Sequence, residues 1–266
     1  MTNPQFYKDA IDATGCISNA WELIKPNYWL YLGITLVAGL IIVALSCIPI
    51  VGIVMFAPVS AGIYYIALRA MRGEYIDFGM LFKGFEKFKV LALVGLIQGI
   101  PSIIGQILDI VFRVLNLLVT TSQRSRGVDY YQSNTGDFAL AGGMLVVIIV
   151  VAVVIMLFSI AWSITFAFSV PIAMDQNVDA MTAIKLSARA GWSNLGGIIV
   201  LAILLALIGL ASVIAICLLG PLWVSPIYTI AWAFAYRQVF PDLGPSQYRT
   251  EPPSPEYYQG SFGQGM

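Results

Sequence analysis

Two long stretches without a charged residue constrain this chain more than any other feature of its sequence. Forty-three residues separate Lys25 from Arg69, and 47 separate Arg189 from Arg237. A transmembrane helix needs roughly 20 apolar residues, so each stretch can hold two spans and a tight turn. The sequence therefore predicts an all-α fold, a polytopic membrane helix bundle, because a helix satisfies its backbone hydrogen bonds internally in lipid.

The composition supports this class and excludes several others. Hydrophobic residues make up 59% of the 266 residues and charged residues 11%, whereas soluble domains carry about 25% charged residues. Lys plus Arg and Asp plus Glu are balanced at 14 each, which excludes a strongly basic nucleic-acid-binding protein. The sequence has no histidine, and no nucleophile–base pair or metal-ligand cluster is recognisable. We expect a protein that is not an enzyme, with no catalytic residues, metal, cofactor or nucleic-acid partner.

Two further apolar stretches raise the expected number of spans to six. Residues 90–108 form 19 uncharged positions and predict one span. Residues 138–174 form a stretch of 37 uncharged positions. We interpret it as one long helix that begins near Met144 and is bent near its end by Pro171. The hairpin turns are expected near Pro49 and at either residues 209–212 or, preferably, residues 220–221.

Six spans place both termini on one side of the membrane, and the positive charges identify that side. Eleven of the 14 Lys and Arg residues lie on the side of the termini and three on the other. The excess marks the cytoplasm, so we expect both termini there. The expected domains are a cytoplasmic amphipathic N-terminal helix (1–26), a six-helix transmembrane domain (27–240) and a disordered cytoplasmic tail (241–266). The apolar stripe of the N-terminal helix consists of Ala10, Ala13, Ile17, Trp21 and Ile24.

The first and last hairpins share a pattern that suggests an internal repeat. Glycine, proline and arginine recur in each hairpin with spacings of six and eleven residues. Both hairpins follow an amphipathic stretch and have the same orientation, which predicts a parallel repeat around a central pair of spans. Alternatively, these residue types mark a turn, a kink and a charged anchor twice independently. The recurring residues are Gly52, Pro58 and Arg69 in the first hairpin and Gly220, Pro226 and Arg237 in the last.

The segment between spans two and three contains a candidate interfacial motif. Asp77 can cap a short helix on which Lys83 and Lys87 would face the lipid headgroups, opposite the aromatic residues. We expect an interfacial helix that anchors the bundle, and a specific site for an anionic lipid or a partner is the alternative. The motif consists of Arg72, Gly73, Phe78, Leu81, Phe82, Gly84 and Phe85.

The sequence resembles a group of uncharacterised bacterial six-helix integral membrane proteins. The resemblance lies in residues 72–85 and 171–194 and in the amphipathic helix before a hairpin. That group is similar to the membrane domain found fused to glycerophosphoryl diester phosphodiesterases, and the resemblance covers roughly residues 10–240. It implies a six-helix fold in the bacterial cytoplasmic (inner) membrane. It carries over no catalytic residue, because the phosphodiesterase domain is a separate barrel that needs histidines.

The third span carries its polar residues on one face. At 100° per residue, its glycines and polar side chains fall within a sector of about 120°, and such a face cannot contact lipid. Either the glycines allow close helix packing and the glutamines hydrogen-bond between helices, which we favour, or the stripe lines a polar path. The candidate polar face consists of Gln98, Ser102, Gln106, Asp109 and Arg113. Pro101 is expected to kink this helix and to shift the later residues relative to the projection.

The three cysteines are too few for a disulfide framework. Cys16 lies in the expected cytoplasmic helix and should stay reduced. The repeat places Cys47 and Cys217 near the outer ends of their hairpins, where we expect free thiols rather than a bridge.

The sequence supports two hypotheses about function. The first is a non-enzymatic scaffold, accessory subunit or envelope factor that contacts the lipid bilayer and a membrane-protein partner or a second copy. The second is a small transporter or lipid-handling membrane protein, which the repeat and the polar face motivate. We favour the first because no charged residue can be placed at the middle of the bilayer.

Overall fold

The computed structural model describes residues 6–125, 135–216 and 220–241. These residues form helices and no β-strand, so the all-α prediction is confirmed within them. Two 3-10 helices join the α-helices: Lys25–Asn27 links α1 to α2, and Phe78–Lys87, called the linker helix below, precedes α4. The expected tail from residue 242 onward lies outside the described residues. The α-helices are α1 (Ala13–Ile24), α2 (Tyr28–Ser46), α3 (Pro49–Met71), α4 (Phe88–Gln98), α5 (Ile100–Ser125), α6 (Thr135–Phe166), α7 (Ser169–Asp175), α8 (Ala180–Ser193), α9 (Leu195–Ile216) and α10 (Gly220–Val239).

Five helical segments in the described part of the chain are long and apolar enough to cross a membrane. These segments agree with the predicted class, a helical membrane protein. The sixth span stays a prediction. Helix α10 would supply it: its 20 residues extend for about 30 Å, but its tryptophans, tyrosines and prolines lower its hydropathy. The five segments are Ala13–Ser46, Ile50–Met71, Ile100–Leu118, Ile149–Asp175 and Leu195–Ala215.

The third predicted span is a broken helix. Helix α4 ends at Gln98, and α5 begins after Gly99 and continues to Ser125, well beyond the predicted end of the span at Asp109. Pro101 explains the break, because a proline has no N–H to donate to the carbonyl four residues earlier and its ring crowds that carbonyl. The expected kink is present, and it separates the two ends of the polar face onto two helices.

The fourth predicted span is also divided, so the expectation of one bent helix from Met144 was wrong in its details. Helix α6 begins at Thr135, and the chain leaves helical geometry at residues 167–168 before the short, buried α7. Pro171 lies in the first turn of α7, where a missing N–H is tolerated, and it deprives the Ala167 carbonyl of its helical partner. At the same break, the Phe168 N–H donates to Ser187 Oγ at 3.1 Å, and this hydrogen bond connects the break to α8.

Helix α1 packs against α10 and α9, so its apolar face contacts protein. The buried residues are Ala13, Cys16, Ala20 and Ile24, whereas Trp21 is 45% exposed. The expected stripe is therefore only partly right. Small side chains at Cys16 and Ala20 let the neighbouring helices approach, and Trp21 instead packs edge-on against Tyr28.

The short helices each pack on other helices of the bundle. Helix α1 lies on α9 and α10, the linker helix lies mainly on α3, and α8 lies on α6 and α7. Pro58 and Pro226 are both interior residues of the second helix of their hairpins, α3 and α10. The equivalence of the two hairpins stays a prediction.

The cysteines occupy different environments. Cys16 is buried and its thiol donates to Gln238 Oε1 at 3.4 Å. Cys47 is an exposed free thiol at the C-terminal end of α2. Cys217 lies outside the described residues, so the proposed absence of a bridge to Cys47 stays a prediction.

Candidate functional site

A cleft of about 760 Å³ lies beside the break between α4 and α5. Its walls come from the C-terminal end of α2, the first turns of α3, the α4–α5 junction and the C-terminal third of α6. The break creates the cleft geometry because α5 leaves the course of α4 at Gly99. The polar residues that line it are Ser46, Gln98, Ser102, Gln106, Ser159, Trp162 and Ser163.

The predicted polar face divides between the cleft and the outside of the molecule. Gln98, Ser102 and Gln106 line the cleft. Asp109 and Arg113 lie farther along α5, where they form an exposed ion pair with a 2.7 Å distance between Arg113 Nε and Asp109 Oδ2. The structure therefore brings together the uncharged members of the face and leaves the charged pair apart from them.

The glycines of this face serve helix packing. A Cβ added at Gly95 would lie 3.0 Å from the carbonyl oxygen of Ile53 and 3.2 Å from Ala57 Cβ, and one added at Gly99 would collide with the Ile53 side chain. Both glycines thus let α4 approach α3 closely, as expected of small residues at membrane helix interfaces. The packing interpretation fits Gly95 and Gly99, whereas Gly105, Gln98, Ser102 and Gln106 line the cavity.

Hydrogen bonds within the cleft wall join α4 to α6. The indole Nε1 of Trp162 donates to the backbone carbonyl of Gln98 at 3.1 Å. The Ser163 hydroxyl donates to the Ser159 carbonyl at 2.8 Å within α6. The side-chain oxygen of Gln98 is buried and has no hydrogen-bond donor among the described residues. A buried acceptor without a donor costs free energy, so this wall favours a ligand or a rearrangement that supplies one.

A second cavity of about 460 Å³ also has residues of α6 in its lining. Ser159 and Ser163 line both cavities, and the walls of the second come largely from α3, α6, α9 and α10. Tyr64 and Trp232 are the large aromatic residues in its lining. The two cavities are therefore neighbours along α6.

A charged cluster at the C-terminal ends of α3, α7 and α10 was missed by the sequence reasoning. Asp175 accepts from both terminal nitrogens of Arg237, at 3.2 and 3.3 Å, and from Arg72 Nη2 at 3.3 Å. The Tyr236 hydroxyl also donates to Asp175, at 2.9 Å. We expected Arg237 to be an anchor at the lipid headgroups, but it is a half-buried partner of Asp175. A signal was present, because Asp175 closes a long uncharged stretch, but its partners are 62 and 103 residues distant.

Lys87 joins the same cluster from the linker helix. Its ammonium donates to the carbonyl oxygens of Met174 at 2.8 Å and Ala173 at 3.4 Å, near the C-terminal end of α7. Burial lowers the pKa of Lys87, and the Asp175 carboxylate partly opposes that shift. The expectation that Lys87 faces lipid headgroups was wrong, because a cation is stabilised at the C-terminal end of a helix, where the carbonyls are unpaired.

The candidate interfacial motif mainly fixes the linker helix on α3. Leu81 and Gly84 are buried, and a Cβ added at Gly84 would collide with the carbonyl oxygen of Pro58. Phe82 is 50% exposed, while Phe78 and Phe85 are half-buried. Of the other members, Gly73 adopts a φ of +70°, which suits glycine, and Arg72 pairs with Asp175. In 3-10 geometry residues three apart share a face, so Leu81 and Gly84 point together at α3.

Comparison with known proteins found no match for this chain: no family model, no curated protein and no solved structure is similar to it. The cleft and the charged cluster are thus interpreted from their own geometry. The cleft is a concave, mostly apolar cavity with a few convergent polar groups, which is the usual form of a small-molecule site. The charged cluster joins helix ends through ion pairs of Asp175 with two arginines and through hydrogen bonds of Lys87 to backbone carbonyls.

Proposed function

We propose that this protein is a six-span, non-enzymatic membrane protein of the bacterial inner membrane that binds a lipid in the cleft. Both termini lie in the cytoplasm, and α10 is the sixth span. The resemblance to bacterial six-helix membrane proteins supports the location, and the distribution of Lys and Arg supports the orientation. This is the lipid-handling hypothesis from the sequence.

The observation that carries the proposal is the position of Gln98, Ser102 and Gln106 in one cleft. Polar side chains in a transmembrane region are costly when they face lipid, so they mark a protein contact or a ligand. The cleft lining also includes the exposed apolar side chain of Phe56, and α5 carries the exposed side chains of Ile103 and Ile107. A lipid can satisfy both kinds of surface, with its polar end at the amides and its chains along the apolar walls.

A cleft-filling substitution tests the proposal. A Cβ at Gly105 meets no atom within 4 Å, so Gly105→Phe fills the cleft without a backbone collision. Gly39→Phe is the matched control, because Gly39 is equally open but lies on α2 outside the cleft lining. The full chain is reconstituted with diacylglycerol and phosphatidylglycerol that carry a photoreactive group in an acyl chain, and labelled peptides are mapped by mass spectrometry.

We expect labelling to concentrate in the segments that line the cleft and to fall in Gly105→Phe, while Gly39→Phe behaves like the wild type. Even labelling along all lipid-facing helices, or equal labelling of the two variants, would contradict the proposal.

A scaffold role is the second candidate, and the exposure of α5 favours it. None of the hydrophobic window of Ile100–Leu118 is buried, although this segment is apolar enough to span a membrane. The Asp109–Arg113 pair lies exposed on the same helix and could contact a membrane-protein partner or a second copy. Cross-linking of two differently tagged copies tests this role. Asp109→Asn combined with Arg113→Gln should weaken the cross-linking and leave lipid labelling in the cleft unchanged.

A further inference from the structure

We infer that the ligand of the cleft is an uncharged lipid whose polar end carries a free hydroxyl group, such as a diacylglycerol or a long-chain alcohol. This inference rests on the proposed function and adds the chemical class of the ligand. Two features of the lining residues that the structure describes carry it: none has a charged side chain, and the buried side-chain oxygen of Gln98 has no hydrogen-bond donor.

The lining carries no charged side chain among the residues that the structure describes. The charged pair on α5, Asp109 and Arg113, lies outside this lining, and its members are bonded to each other. A phosphate placed beside Gln98 would therefore lose water without gaining a cation. Burying an unpaired charge costs far more than burying a neutral hydroxyl, so the cleft selects against phospholipid headgroups.

Three of the side-chain donors at the cleft are already engaged. The Ser46 hydroxyl donates to the Ile42 carbonyl at 2.7 Å, and the Trp162 and Ser163 donors bond to the carbonyls of Gln98 and Ser159. The lone pairs of the serine oxygens stay available as acceptors, because a hydroxyl donates one hydrogen bond and accepts others.

Gln98 adds an acceptor that needs a donor. Its side-chain oxygen has no partner among the described residues, although the residue lines the cleft. Rotation of the side chain brings this oxygen to the ligand, and a hydroxyl group supplies the missing hydrogen bond. An ether or ester at the same place has no donor, so it leaves this oxygen of Gln98 unsatisfied.

Competition against the photoreactive diacylglycerol tests the inference on the full chain. Three competitors share their acyl chains and differ at one position: dioleoylglycerol, its methyl ether and dioleoyl phosphatidic acid. We expect dioleoylglycerol to compete at least about tenfold better than phosphatidic acid and about threefold to tenfold better than the methyl ether. Gln98→Leu should abolish the preference for the hydroxyl over the ether and keep the discrimination against phosphate.

The outcomes separate the two levels of the proposal. If phosphatidic acid competes as well as dioleoylglycerol, and Gly105→Phe still lowers labelling, the headgroup class is wrong and the lipid site stands. If Gln98→Leu keeps the full preference for the hydroxyl, the assignment of Gln98 is overturned. If Gly105→Phe and Gly39→Phe label equally, the site itself is absent, and the proposed function and this inference both fall.

Discussion

Asp175 holds the C-terminal ends of α3 and α10 against α7 through a single carboxylate. Its side chain is 17% exposed and that of Arg237 is 13% exposed, so water screens this pair only weakly. Asp175→Ala removes the carboxylate that accepts from both terminal nitrogens of the half-buried Arg237 guanidinium. We expect a loss of about 3 kcal/mol in the free energy of unfolding, measured in mixed detergent micelles, because removing one member of a buried pair leaves an uncompensated charge.

The ion pair on α5 provides the control for this substitution. Arg113 is 77% exposed, so Arg113→Ala should change the unfolding free energy very little. A double-mutant cycle between Asp175→Ala and Arg237→Ala should show a clear coupling energy. Equal effects of Asp175→Ala and Arg113→Ala would mean that the charged cluster does not hold the helix ends together.

The contact of the linker helix with α3 depends on two facing glycines. A Cβ at Gly84 would collide with the Pro58 carbonyl, and one at Gly62 with the Leu81 carbonyl. Gly84→Ala should therefore destabilise the protein by about 2 kcal/mol, since backbone atoms cannot move away as a side chain can. Gly39→Ala is the comparison: it lies in an open part of α2 and should be neutral or slightly stabilising. Thermal unfolding in detergent measures both, and similar melting temperatures would refute the close contact.

Helix α8 begins with a cap whose strength depends on pH. The side chain and the backbone N–H of Thr182 donate to Asp179 and hold the pKa of that carboxyl below its ordinary value. The cap therefore stabilises the fold above the unfolded pKa of about 3.9, and this contribution is lost as the pH falls through the lowered folded pKa. The melting temperature of Asp179→Ala should lie below that of the wild type at neutral pH, and the gap should close under acidic conditions. A gap that stays constant down to strongly acidic pH would show that the carboxylate charge is not involved.

At the scale of the whole molecule, α10 decides whether the chain has five or six spans. Its hydropathy is modest because aromatic residues and prolines replace aliphatic ones, but its length is sufficient. Reporter fusions after Phe88, after Gln176 and at Met266 should all report the cytoplasm, and a fusion near Ser133 should report the outside. An external signal at Met266 with the other signals unchanged would remove α10 from the membrane and leave five spans.

The sequence by itself determined the class of protein and the places where its helices break. Apolar stretches of 19 to 47 residues are sums over neighbouring positions, so hydropathy identifies them without knowledge of the fold. Pro101 and Pro171 act on their own helix, four residues back, which made the kink of the third span predictable. The stripe of Gln98, Ser102 and Gln106 was likewise visible as a helical projection.

Only the tertiary structure decided what those residues contact. Whether the stripe packs or lines a cavity depends on how far α6 stands from α4, and neither helix encodes that distance. The same holds for Asp175, which meets Arg72 and Arg237 because three helices end at one place. The N-terminal stripe was displaced for this reason too: contact with α9 and α10 buried Cys16 and Ala20 in place of Trp21. Periodicity reports a single helix, whereas cavities and ion pairs arise from the relative positions of several.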